Sequence, residues 1–103
     1  MNSDKIINQI IDRLKKLEFV EYDPIVQEDN EYIDLDTESK DDGSGDWIAT
    51  RVTWNKRKKT YYYSIVTFPD ATEFHGENKD LDALILEMKE FYEVKSKNVC
   101  LQN

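Results

Sequence analysis

The sequence predicts an α+β domain: an antiparallel sheet of three to four strands flanked by an N-terminal and a C-terminal helix, both helices on one face of the sheet. Three observations predict it. Apolar residues recur at helical spacing near each end, runs rich in β-branched and aromatic residues fill the middle, and polar turns separate them. Each helix has a single apolar face, so packing both on the same side of the sheet is the most economical arrangement, and the order is α-β-β-β-(β)-α.

In the first helix Ile6, Ile7, Ile10, Ile11, Leu14 and Leu17 form one stripe. Ser3 is the expected N-cap, Asp4 suits the first turn, and Lys15 and Lys16 suit the end near Glu18. Isoleucine is only a moderate helix former, so tertiary packing must hold this helix. Phe19, Val20 and Tyr22 read as an extended segment leading to Pro24. From Tyr32 to Thr37, Ile33 and Leu35 alternate with acids, the pattern of a strand with one wet face. Glu38 to Asp46 (ESKDDGSGD) reads as a loop.

The strongest strand signal is the pair WIATRVTW and TYYYSIVTF, joined by the polar connection NKRKK. Neither face of the second run is cleanly polar, which predicts central strands. Pro69-Asp70 marks a turn, and Thr72 to His75 reads as a short edge strand stopped by Gly76. The second helix carries Leu81, Leu84, Ile85, Met88, Phe91 and Tyr92 at helical spacing, with Asn78 or Asp80 as its cap, and is expected to end about Glu93. The tail, 94–103, is expected to fray or to add an edge strand through Val99 and Leu101.

A chain of 103 residues fits one domain, 1–103, with a single modest core. No repeat and no linker divides it. Mean hydropathy is −0.76, and no stretch reaches the roughly 18 apolar residues of a membrane span. The amphipathic N-terminus is not a secretory signal. Cys100 is the only cysteine, so no intrachain disulfide is possible and a reducing, cytoplasmic location is expected. Eleven lysines against three arginines, with frequent Ile, Asn and Tyr, fit an AT-rich genome such as that of a low-GC bacterium or its phages.

Charge is the feature that points to function. The net charge is −8, yet Glu18 to Asp46 holds twelve acids against one base, Lys40. One reading is a solvated, self-repelling segment that aids solubility. The other is a surface for a basic partner, because carboxylates along a strand and loop can engage arginines and lysines that normally hold phosphates. Asp34, Asp36, Glu38, Asp41, Asp42 and Asp46 are the candidate partner-binding residues. The expected function is a small, non-enzymatic interaction protein binding a basic protein, acting as an inhibitor by nucleic-acid mimicry. Small acidic phage-encoded inhibitors of nucleic-acid enzymes are similar to this chain in size and charge only, and no motif in it identifies any one family. Two alternatives compete: a nucleic-acid-contacting module using the basic hairpin 55–59, and an immunity protein that neutralises a toxin.

Other chemistry finds little support. His75 is the sole histidine, and no GxSxG, Walker loop or GxGxxG occurs, so no catalytic residue and no cofactor site is assigned. An EF-hand with Gly43 at its sixth position would put Lys40 at the third and Ala49 at the twelfth, where ligands are needed. One Cys and one His serve zinc poorly. No metal site is expected, and the overall negative field opposes direct contact with nucleic acid or anionic membrane.

Overall fold

β-Branched and aromatic residues dominate the centre of the chain, and they form the centre of the sheet. In the computed structural model, which describes residues 3–18, 20–39, 47–69 and 71–101, with side chains as far as Tyr92, five strands and two helices follow in order. They are α1 (Ser3–Leu14), β1 (Ile25–Glu28), β2 (Tyr32–Glu38), β3 (Trp47–Asn55), β4 (Thr60–Phe68), β5 (Thr72–Asn78) and α2 (Leu81–Leu101). The strands form one antiparallel meander in the order β1-β2-β3-β4-β5. The sheet therefore has five strands where three to four are expected.

The additional strand is β1. It begins after Pro24, whereas the extended segment was expected before it, at Phe19 to Tyr22; Val20 and Tyr22 lie outside any strand and Phe19 lies outside the described residues. All four residues of β1 are exposed, so no apolar alternation announces it. A tight turn makes the strand. Asp29 Oδ1 accepts the Glu31 and Tyr32 amides at 2.8 and 2.7 Å, and the Asp29 amide donates to the Tyr32 carbonyl at 2.9 Å. The two bonds hold the Asp29 carboxyl below its ordinary pKa, the Tyr32 amide contributing most.

Alternation along β2, β3 and β4 sorts the residues into two sets. Ile33 pairs with Trp54, Leu35 with Val52, Val52 with Tyr63, and Thr50 with Ile65, so the apolar sets of three strands stack across one face. Ile6, Ile10, Leu14 and Leu17 from the N-terminal segment join the same buried cluster, as do Leu81, Leu84 and Met88 of α2. Phe74 of β5 meets Phe91 of α2 with ring centroids 4.2 Å apart.

The helix boundaries differ from expectation at three ends. The Ser3 hydroxyl, the expected cap of α1, donates to Glu28 at 2.7 Å. α1 stops at Leu14, four residues early, and tight turns (Lys16 N to Arg13 O, Leu17 N to Leu14 O) then fold Leu17 into the core. α2 continues past Glu93 to Leu101, through residues expected to fray or to pair as a strand. Of its two candidate caps, Asp80 accepts the Asp82 amide at 3.0 Å and Asn78 accepts the Asp80 amide.

β5 also runs further than expected, through Gly76 to Asn78. The reason is Tyr63. A Cβ on Gly76 would lie 2.7 Å from Tyr63 Cε1, so the glycine makes room for the ring that pairs opposite it.

Candidate interaction surface

Because side chains alternate, the residues between the buried ones of β2 share the opposite face of the sheet. Asp34, Asp36 and Glu38 are these residues, and their register partners on β3 are Thr53, Arg51 and Ala49. The row continues onto β4 and β5 as Arg51, Ser64 and His75, and next to it as Ala49, Val66 and Glu73. Five acids project from the strands on this face, Asp34, Asp36, Glu38, Glu73 and Glu77, against one base, Arg51.

The face is hollow at one end. Ala49 and Ser64 are short, while Tyr62, Tyr22 and Ile25 stand taller around them, and the resulting concavity measures about 810 Å³. Its apolar margin is unusually bare: Ile25 is 68% and Tyr22 56% exposed. Asp36, Glu38 and Glu73 line it together with Arg51.

The acids are not equivalent. Arg51 donates to both oxygens of Asp36, through Nε at 2.6 Å and Nη2 at 3.0 Å, a bidentate fork that raises the arginine pKa. Asp34 accepts the Thr53 hydroxyl at 2.6 Å. Glu38 is exposed at the end of β2 and lines the rim, with no side-chain partner among the described residues. Asp41, Asp42 and Asp46 lie outside the described residues. Thus three of the six candidates share one face, and two of these three already hold neighbours within the sheet. Glu73 completes the opposite rim; its alternation with Phe74 in sequence was the only signal for it.

The basic connection divides as well. Lys56 reaches away from the tip, donating to Glu28 at 2.7 Å and to the Asp29 carbonyl at 2.7 Å. That bond, with a smaller one from Ser3, holds the Glu28 carboxyl below its ordinary pKa. Asn55 Oδ1 accepts the Arg57 and Lys58 amides, and Lys59 closes the turn in the left-handed region at φ 56°. The side chains of Arg57, Lys58 and Lys59 are exposed and have no partner among the described residues. The aromatics that would accompany them in a nucleic-acid reader face elsewhere: Trp54 and Tyr63 are buried, and Tyr61 packs 4.6 Å from Trp54. Of these four aromatics Tyr62 alone lies on the hollow face, 6.0 Å from the His75 ring.

Among the described residues no group of three or more His, Cys, Asp or Glu is placed to hold a metal ion, and no helix is long and apolar enough to cross a membrane. No protein-family model, curated protein or solved structure matches the chain.

Proposed function

We propose that this is a non-enzymatic, cytoplasmic interaction protein whose hollow sheet face binds a basic protein, acting as an inhibitor that occupies a nucleic-acid site. In this reading both helices cover one face of the sheet, and the other is left free for the partner. The observation that carries it is the five-to-one excess of carboxylates among the described strand residues of that face, set around an apolar hollow. Along β2, Asp34, Asp36 and Glu38 repeat about every 7 Å. That is close to twice the ~3.4 Å axial rise per phosphate in one DNA strand, so a row of phosphate-binding cations meets charges at a familiar spacing. The apolar margin of Tyr22 and Ile25 supplies burial that a purely acidic surface lacks.

Electrostatic association of this kind weakens as salt rises. The test is affinity capture from a low-GC bacterial lysate at low and high salt, followed by DNA-binding assays on whatever is released by salt. A basic, nucleic-acid-binding protein that loses DNA when this protein is added supports the proposal. The absence of any such protein from the salt-released fraction overturns it.

A further inference from the structure

The molecule carries both halves of a charge-complementary contact. At one end of the β3–β4 hairpin, Arg57, Lys58 and Lys59 project with no partner among the described residues. Toward the other end of the same two strands lies the hollow, around Ala49 and Arg51 of β3 and Ser64 and Val66 of β4. Asn55, where the turn begins, lies six positions along the strand from Ala49, a span of about 20 Å in extended chain. The tip therefore cannot fold back into its own hollow. A second copy can reach it.

We propose that the free protein forms a two-fold dimer, open face to open face with strands antiparallel, each basic tip lying over the acidic rim of its partner's hollow. A two-fold operation makes both tip-to-hollow contacts at once, so the contact closes and does not propagate. The axis then passes near the midpoint between tip and hollow, at Thr53 and its register partner Tyr62. Tyr62 is half-buried and stacked on His75, a suitable central residue for an interface. The same arrangement covers Tyr22 and Ile25, which the monomer leaves bare. The net charge of −8 on each copy opposes association, as does the axis, which sets Asp34 and Glu77, level with Thr53 and Tyr62, opposite their own copies. The dimer is accordingly weak and displaceable, and added salt weakens the attraction and the repulsion together.

Charge exchange isolates the contact, which salt cannot do. One variant carries Arg57→Glu, Lys58→Glu and Lys59→Glu; the other carries Glu38→Lys and Glu73→Lys. All five positions are on the surface, and circular dichroism and melting confirm that each variant folds. Sedimentation equilibrium of the wild type across the micromolar range should show a monomer–dimer equilibrium. Each variant alone should weaken it by more than about tenfold, because like charges then face each other. Mixed, the two should form a heterodimer, since both contacts again join opposite charges. A wild type that stays monomeric, a dimer that survives both variants, variants that fail to pair on mixing, or masses that climb beyond two copies would each overturn the proposal.

Discussion

Gly76 shows how one missing side chain keeps two strands paired. The Tyr63 ring occupies the space where a Cβ would stand, with Cε1 2.7 Å away. Gly76→Ala must displace a ring that is 8% exposed within the core, so a loss of about 1–3 kcal/mol is expected, typical of overpacking. Tyr63→Ala alone also destabilises, but it empties the space the new methyl needs. Denaturant titrations of both single variants and the double should therefore give a combined loss clearly smaller than the sum. Additive losses would mean that the ring and the glycine are energetically independent. In sequence this glycine reads as the end of a strand, because a lone glycine weakens strands and nothing local reveals the ring across the ladder. Asp36 is a similar case. Its position on the wet face of β2 was legible from alternation, but its bidentate bond to Arg51 depended on a strand register that no residue pattern in the sequence specifies.

Among the elements, those with strong periodicity were legible and those held by tertiary contacts were not. α1, β2, β3, β4 and the apolar face of α2 follow directly from spacing in the sequence. β1 does not: its IVQE is wholly exposed, and what holds it is the ladder to β2, the Asp29 turn and the clamp of Lys56 and Ser3 on Glu28. An edge held this way should open locally before the rest of the sheet. Amide hydrogen exchange is expected to be fastest in β1 and slowest in β3 and β4, which have neighbours on both sides. Lys56→Ala should speed exchange in β1 while leaving the central pair unchanged. Equal acceleration in β3 and β4 would show that the clamp supports the whole sheet and not only its edge. The same short, exposed strand explains why the strand count exceeds expectation.

For the whole molecule the balance of charge was legible from composition, whereas the face that collects the acids required the register of five strands. Two effects of pH then oppose each other. Glu28, Asp29 and Asp82 have folded pKa values below their ordinary ones, set by bonds from Lys56, the Tyr32 amide and Arg13 respectively. A depressed folded pKa means the unfolded chain binds more protons in that window, so this stabilisation is present above the unfolded values and disappears as pH falls through the folded ones. Meanwhile a falling pH lowers the net negative charge of a −8 chain and with it the self-repulsion of the compact state. The melting temperature should hold level or rise slightly from pH 7 to about 5, then fall below about pH 4, where ordinary carboxyls titrate. A steady decline beginning at neutral pH would show that paired acids outweigh repulsion throughout. Asp41, Asp42 and Asp46 give the sharper form of the same question. Among the described residues Arg51 is already engaged by Asp36 and Lys56 by Glu28. Exposed pairs contribute only about 0–1 kcal/mol each in any case. Changing all three to Asn should leave thermal stability unchanged or raised, because like charges crowded in one segment gain nothing from each other, while weakening binding to a basic partner. A clear drop in melting temperature with partner affinity intact would show that these three acids hold the fold and that the carboxylates of β2 and β5 suffice for the partner.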